Sequence, residues 1–260
     1  MHIVVGTRST PDTAAKVEVA ANGSVTWGDS PLVINPWDEY AVEEAIVRAG
    51  DTGGKVTVIA VGPEEHNEAL KHALAMGADE AIRLWDDAWR GLDSLGYATV
   101  FAAAVRRLGD VSLVLFGKEA ADEATDQHIF QIARKLGWTL LSYVSRIDAL
   151  DPAGGTVRVE RLLEEGKQVV SARLPAVMNV MKEINEPRYP SFMGIRKAAR
   201  AAIPLWDAAE LGVDVPAPQT RLVAYRGLPV REAACEIIEA DSVEEQARIL
   251  VDRLLEEKVI

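Results

Sequence analysis

The stretch Lys55-Val56-Thr57-Val58-Ile59-Ala60-Val61 decides the fold class, because nearly all of its residues are apolar or β-branched. A near-continuous apolar run of this length is typical of a parallel strand that is buried on both faces of its sheet. The run Val111-Ser112-Leu113-Val114-Leu115-Phe116 has the same character, and a shorter run spans residues 3–5. These three runs predict the strands of a parallel sheet.

Helical segments separate these strands. Asn35 followed by Pro36 is typical of a helix start, and Gly50 is predicted to end that helix. Two further apolar stripes at helical spacing end at Gly77 and Gly109. Strands that alternate with helices through short links predict an α/β fold: a doubly wound, mainly parallel sheet with right-handed crossovers, related to the Rossmann-like nucleotide-binding folds.

The pattern changes after about residue 139. Residues 155–162 and 167–174 alternate in polarity on either side of Glu165-Gly166. This pattern predicts an added antiparallel hairpin with one solvent-exposed face. A further apolar strand follows at 174–180, whereas 204–218 looks irregular, and a capped helix is predicted from Ser242 to Lys258. We therefore expect an α/β nucleotide-binding domain at 1–203 and a C-terminal arm and helix at 204–260.

Composition excludes several functional classes. The chain has 260 residues, 48% hydrophobic and 26% charged, with a formal net charge of -12. No apolar run approaches the roughly 20 residues of a membrane helix, and the first residues lack a signal-peptide pattern, so we expect no membrane insertion. The acidic balance argues against nucleic acid as a partner. A single cysteine excludes an internal disulfide, and a cytoplasmic location is expected.

Glycine turns follow the predicted parallel strands, where open α/β sheets bind ligands. Gly6 follows the first strand, and Gly117 opens the stretch 117–127, which leads into a predicted helix. A glycine turn before a helix N-terminus is suited to anions such as phosphate. No G-x-G-x-x-G or P-loop motif is present, and four acids lie between Glu119 and Asp126. An ordinary strand-to-helix turn therefore stays open as an alternative.

Catalytic machinery is not evident. The four histidines are scattered, none has metal-ligand spacing, and no nucleophile lies near a base in the sequence. We predict neither a catalytic residue nor a metal site.

A basic segment interrupts the acidic chain. Residues 188–200 contain four basic residues and no acidic one, with Phe192 and Met193 between them. An apolar tip in a cationic segment favours a docking surface. A surface loop that leads into a short amphipathic helix is the alternative.

Six segments resemble the electron transfer flavoprotein β-subunit, also called the small subunit, and they occur in the order of that family. They are residues 10–17, 35–45, 73–79, 117–122, 174–177 and 185–189. The resemblance implies a heterodimer with a homologous α-subunit that holds FAD, while this subunit holds AMP structurally. It implies an electron carrier, not an enzyme, which takes electrons from flavin dehydrogenases such as acyl-CoA dehydrogenases and passes them to a membrane quinone reductase.

The resemblance also implies the site residues. The AMP shell would comprise Gly6, Asn35, Pro36, Trp37, Asp38, Val61, Gly117, Lys118, Glu119, Ala120, Ala121, Asp122, Glu123, Ala124, Thr125, Asp126, Gln127 and His128. The partner recognition loop would span about 180–202, with Phe192 at the position of the family's apolar anchor. Its partner-binding residues would be Tyr189, Phe192, Met193, Ile195, Arg196 and Lys197.

The sequence departs from the family pattern inside the nucleotide loop. The family tends to show D-x-D-x-x-Q, and the second Asp position is Ala124 here. Electron-bifurcating relatives hold a second FAD in place of AMP and tend to show G-D-T-x-Q, of which only Thr125 and Gln127 agree. AMP is the favoured ligand. A second FAD and a stand-alone adenine nucleotide-binding sensor are the alternatives.

Overall fold

A nine-stranded sheet forms the centre of the first of two units. The computed structural model describes residues 1–125, 127–227, 229 and 235–260. The first unit covers Met1–Tyr225 and the second covers Arg226–Ile260. The first unit therefore extends past residue 203, where the sequence suggests a boundary.

The strands and helices are numbered in chain order. The strands are β1 His2–Gly6, β2 Ser9–Pro11, β3 Glu18–Val19, β4 Val25–Thr26, β5 Leu32–Ile34, β6 Lys55–Val61, β7 Glu80–Leu84, β8 Val111–Phe116, β9 Thr139–Asp151, β10 Thr156–Leu163, β11 Gly166–Arg173, β12 Ala176–Val180 and β13 Leu205–Trp206. The helices are α1 Pro36–Thr52, α2 Asn67–Met76, α3 Ser94–Leu108, α4 Gln127–Leu136, α5 Phe192–Ala198, α6 Ala208–Leu211 and, in the second unit, α7 Val243–Glu256.

The large sheet has the strand order β11-β10-β9-β12-β8-β1-β6-β7-β13. In this spatial order, each neighbouring pair from β9 through β12, β8, β1, β6 and β7 to β13 is parallel. β10 pairs antiparallel with both β9 and β11. This confirms the predicted α/β fold and the added hairpin. Two small antiparallel pairs, β2-β5 and β3-β4, lie apart from the large sheet.

Helices cover both faces of the sheet, as expected for a doubly wound fold. On one face, residues of α1 and α2 pack with Ile3 and Val5 of β1. On the other face, residues of α3 and α4 pack with Val4 of β1. Successive side chains of a strand point to opposite faces, which explains the continuous apolar runs of the central strands.

Some elements differ from the prediction. The helix predicted to end at Gly50 continues to Thr52, because Gly53 is the residue that adopts the left-handed conformation, with φ of 62°. The strands β7 and β9 were not predicted. The segment 204–218 is not irregular throughout, since β13 extends the sheet beside β7 and α6 follows it. Among the described residues, no helix is long and apolar enough to cross a membrane.

Candidate functional site

A crevice lies where the chain connections diverge at the centre of the sheet. β1 and β8 are neighbours, but β1 leads toward β6 on one side while β8 leads toward β9 on the other. The carboxyl ends of such a strand pair form the usual ligand site of open α/β sheets. Gly6 and Gly117 at these two ends both line the crevice.

The first turn of α1 holds both crevice loops in place. The Asp38 carboxylate accepts a hydrogen bond from Arg8 N at 3.2 Å and another from Gly117 N at 3.2 Å. The side chain of Asn35 donates to Glu119 O at 2.9 Å and accepts from Ala121 N at 3.0 Å. Asn35 and Asp38 are both buried. They therefore determine the shapes of the two loops that follow β1 and β8.

Burial changes the charge state of Asp38. It raises the pKa of Asp38 to about 7, although hydrogen bonds from Asn35, Gly117, Arg8 and Thr7 act in the opposite direction. The carboxyl group is consequently close to half-protonated at neutral pH. The crevice thus contains a titratable group that links the two loops.

Gly117 permits the close approach of the loop after β8 to α1. A Cβ atom at Gly117 would collide with the backbone of Trp37 and Asp38. The Lys118 ammonium lies 5.2 Å from the centre of the Trp37 ring. Only glycine at 117 allows this packing.

Aromatic side chains surround the inner end of the crevice. The ring of His128 lies 4.7 Å from the Tyr97 ring and 5.5 Å from the Phe116 ring, in edge-on geometry. Burial, with a smaller contribution from the positive charge of Arg8, lowers the pKa of His128 to about 4. His128 is therefore neutral at physiological pH. The inner crevice encloses only about 20 Å³, which is room for about one water molecule.

A much larger cavity of about 1240 Å³ opens beside the inner crevice. It lies between the N-terminal ends of α3 and α4, the loop that follows β8, and the extended segment 218–225. Asp93, the N-cap of α3, holds that segment by accepting hydrogen bonds from Gln219 N at 2.6 Å and Thr220 N at 3.2 Å. The cavity is large enough for a nucleotide, since small-molecule sites are usually about 300–1,000 Å³.

The residues implied for the AMP shell divide into three groups. The inner crevice is lined by Gly6, Asn35, Asp38, Gly117, Glu119, Ala120 and His128. The large cavity is lined by Asp122, Glu123, Thr125, Gln127 and again His128. Six others line neither space: Pro36, Trp37, Val61, Lys118, Ala121 and Ala124. Asp126 lies outside the described residues.

Several residues that line these two spaces were not predicted from the sequence. Arg8 and Tyr97 line both of them, and Arg221 and Tyr225 line the large cavity. Arg8 follows the glycine turn of β1, so its position in the sequence was a usable signal. The segment 218–225 carried no such signal, because nothing in the sequence indicates that an irregular C-terminal stretch returns to the sheet.

The basic segment is a second candidate site. Its apolar side chains are strongly exposed, Tyr189 by 96%, Phe192 by 73%, Met193 by 68% and Ile195 by 52%. Ser191 caps α5 by accepting from Gly194 N at 3.0 Å, so Phe192 is the first residue of a short helix. The tip therefore presents apolar side chains from a defined helical turn.

The base of this segment is fixed to α1. The Arg188 guanidinium contacts the Glu43 carboxylate through two hydrogen bonds of 2.8 Å and 2.9 Å. Asn185 donates to Tyr40 O at 3.1 Å and to Glu44 Oε2 at 3.0 Å. The same helix therefore holds the crevice loops at its first turn and the basic segment one to two turns later.

Comparison with known proteins identifies the family. The profile of the electron transfer flavoprotein domain matches residues 28–211. The chain belongs to the electron transfer flavoprotein family. Its relatives include the electron transfer flavoprotein subunit beta of Thermoanaerobacterium thermosaccharolyticum, 35% identical over 100% of both chains. Protein FixA of Azorhizobium caulinodans is 37% identical over 82% of this chain and 78% of the relative.

A third relative has a name that mentions a larger assembly. The caffeyl-CoA reductase-Etf complex subunit CarD of Acetobacterium woodii is 33% identical over 100% of both chains. The resemblance to β-subunits of electron transfer flavoproteins is thereby confirmed over the whole length of the chain.

Proposed function

We propose that this chain is the β-subunit of a heterodimeric electron transfer flavoprotein that holds AMP in the large cavity. With an α-subunit that carries FAD, it receives electrons from flavin dehydrogenases, such as acyl-CoA dehydrogenases, and passes them to a membrane quinone reductase. The observation that carries this proposal is the cavity of about 1240 Å³ beside the crevice at the central divergence of the sheet. In this proposal the chain is a carrier subunit without catalytic residues of its own.

The residues around the cavity suit an adenine nucleotide. Tyr97 and Tyr225 provide aromatic surface for a base, and Arg8 provides a positive charge for a phosphate. The N-terminus of α4 begins at Gln127, and free N–H groups of a helix N-terminus favour anions. The Arg8 Nε atom is buried without a partner among the described residues, so a ligand oxygen would give it an acceptor.

The exposed basic segment suits transient docking of a dehydrogenase. Phe192 stands out from the surface, with basic residues of the same helix beside it. A bulky apolar anchor within a polar surround is the usual composition of an interaction hot spot. We assign Tyr189, Phe192, Met193, Ile195, Arg196 and Lys197 to this role.

The second unit suits the α-subunit interface. Its helix α7 leaves Leu250, Val251 and Leu255 about half exposed, although an amphipathic helix of a soluble protein normally buries such residues. We propose that the α-subunit covers this apolar face.

A second FAD in place of AMP is the other candidate, as in electron-bifurcating flavoproteins. The size of the cavity favours it, because about 1240 Å³ exceeds the usual range of small-molecule sites. The resemblance to a subunit of a caffeyl-CoA reductase-Etf complex is in line with a partner other than a β-oxidation dehydrogenase.

Co-expression with its α-subunit tests the proposed function. A yellow heterodimer that is reduced by a flavin dehydrogenase and reoxidised by a quinone reductase is the expected result. A stable, colourless, monomeric chain that does not associate with the α-subunit would contradict it, and would favour a stand-alone adenine nucleotide-binding sensor.

A further inference from the structure

We propose that Arg8 forms the phosphate subsite of the nucleotide cavity, and that the phosphate replaces Asp122 and Glu123 as the partner of Arg8. The inference rests on the proposed nucleotide function. It adds a residue that lies outside the implied AMP shell. It also implies that Asp122 and Glu123, two acidic residues of that shell, oppose binding of the phosphate.

The backbone around Arg8 is fixed before any ligand binds. Thr7 N donates to Ile59 O at 2.9 Å, and Arg8 N donates to the Asp38 carboxylate at 3.2 Å. Arg8 O accepts from Asn35 N at 2.8 Å. Neighbouring elements therefore hold this turn on both sides. A fixed turn lowers the entropic cost of binding by the side chains it carries.

The Arg8 side chain is only partly satisfied. One terminal nitrogen donates to Asp122 Oδ2 at 3.0 Å, and the other reaches Glu123 Oε2 at 3.5 Å. Within the described part of the chain, the buried atom Arg8 Nε has no partner. Buried donors without an acceptor are costly, and a guanidinium has five N–H donors to satisfy. A phosphate oxygen would supply the missing acceptor.

Arg8 lies where the two empty spaces meet. It lines the inner crevice together with Thr7, and it also lines the large cavity together with Tyr97 and His128. Its positive charge contributes to the lowered pKa of His128, after burial. His128 is neutral at physiological pH, so Arg8 is the positively charged side chain where the two spaces meet.

Asp122 and Glu123 compete with an anion for Arg8. The Glu123 side chain is 45% exposed, and the side chains of Arg8 and Asp122 are partly exposed, by 30% and 24%. Ion pairs that water reaches are weak. A phosphate that bonds to the guanidinium through two oxygens is a stronger partner. Binding would therefore move the two carboxylates away from Arg8, and their removal should make binding tighter.

Calorimetric titration of the full-length chain with AMP and with adenosine tests the subsite, since the two probes differ only by the phosphate. We expect Arg8→Gln to weaken AMP binding by about ten- to a hundredfold and to leave adenosine binding unchanged. Arg8→Lys should lie between the two, because it keeps the charge but loses the planar fork. The double variant Asp122→Asn/Glu123→Gln should bind AMP several-fold more tightly than the wild type.

Arg90→Gln is the matched control, because it removes the same charge near the cavity rim without lining the cavity. It should leave both affinities unchanged. An AMP preference that survives in Arg8→Gln would overturn the subsite alone. If Arg8→Gln does not fold, the double variant decides, and an unchanged or weaker AMP affinity in it overturns the subsite.

The outcome separates the subsite from the proposed function. A wild-type chain that binds neither AMP nor FAD would overturn both. A chain that binds FAD but not AMP would contradict the AMP proposal only, and the affinities of the wild type and the Arg8 variants for FAD are then compared. An FAD affinity of Arg8→Gln equal to that of the wild type would overturn the subsite in that case.

Discussion

Arg188 and Glu43 form a two-pronged ion pair between the base of the basic segment and the middle of α1, with N–O distances of 2.8 Å and 2.9 Å. The Glu43 side chain is 9% exposed, whereas the Arg188 side chain is 45% exposed. The carboxylate is thus the buried partner. Its pairing also raises the pKa of Arg188 above its ordinary value, chiefly through the hydrogen bond. This ion pair, the Arg188–Glu43 clamp, fixes the base of the basic segment and so determines how the segment presents its apolar tip.

Breaking the Arg188–Glu43 clamp should make the basic segment more mobile. Arg188→Ala leaves the buried Glu43 carboxylate without its partner, which costs on the order of 1–3 kcal/mol. We expect faster amide hydrogen exchange across residues 188–198 and a higher KM for the dehydrogenase, with kcat and FAD content unchanged. Arg200→Ala is the matched control, since Arg200 is exposed at the end of the same segment. Equal exchange rates in both variants would contradict the clamp.

Phe192→Ala should slow electron transfer from the dehydrogenase without loss of FAD. The ring is exposed in the free protein, with the Arg196 guanidinium 6.0 Å from its centre, so its removal costs little stability. Loss of a hot-spot side chain costs about 2 kcal/mol or more of binding energy. Stopped-flow reduction at low dehydrogenase concentration measures the effect. Leu163→Ala, at an exposed apolar position of the hairpin, is the control, and equal rates for the two variants would exclude the anchor role.

The buried carboxyl group of Asp38 should make stability depend on pH. Its pKa rises from an ordinary 3.8 to about 7 on folding, so the folded state binds the proton more tightly than the unfolded state. The stabilisation is therefore complete below pH 3.8 and is lost as pH rises through about 7. Relative to Asp38→Asn, the wild type should lose roughly 1–4 kcal/mol of unfolding free energy between pH 4 and pH 8.

Urea unfolding of both proteins across this pH range provides the measurement. The difference between their unfolding free energies should vary mainly between pH 4 and 8. Parallel pH profiles for the wild type and Asp38→Asn would show that Asp38 is not the responsible group.

Gly117→Ala should disturb the nucleotide loop. The added methyl group would meet the backbone of Trp37 and Asp38, so the loop or α1 must shift. We expect a loss of about 1–3 kcal/mol in stability and less bound nucleotide after purification. Gly50→Ala is the control, because its Cβ would have no neighbour within 4 Å, and alanine in a helix should be neutral or stabilising. Full nucleotide content in Gly117→Ala would contradict the close-approach account.

The sequence predicted those elements whose patterns are local. The runs at 55–61 and 111–116 coincide with β6 and β8, and the caps at Gly77 and Gly109 follow α2 and α3. The Ser242 cap of α7 was also predicted correctly, since Ser242 accepts from Glu245 N at 3.2 Å. Periodicity and capping are properties of neighbouring residues, so they can be predicted from a single sequence.

The parts that depend on distant contacts were not predictable in the same way. Strand β13 has two residues and exists because it pairs with β7, far away in sequence. The segment 218–225 reaches the cavity through its hydrogen bonds to Asp93. The scaffolding role of Asp38 depends on two loops that meet only in the folded sheet. The residues of the nucleotide shell follow no local pattern, and the division between inner crevice and large cavity depends on contacts between distant parts of the chain.

The nucleotide content of the purified heterodimer decides whether this subunit binds AMP. The protein is denatured, and the released nucleotides are separated by chromatography and quantified against the protein concentration. We expect one FAD and one AMP per heterodimer. Two FAD without AMP would contradict the AMP-binding carrier and support the bifurcating alternative, and the absence of any adenine nucleotide beyond a single FAD would contradict a nucleotide site in this subunit.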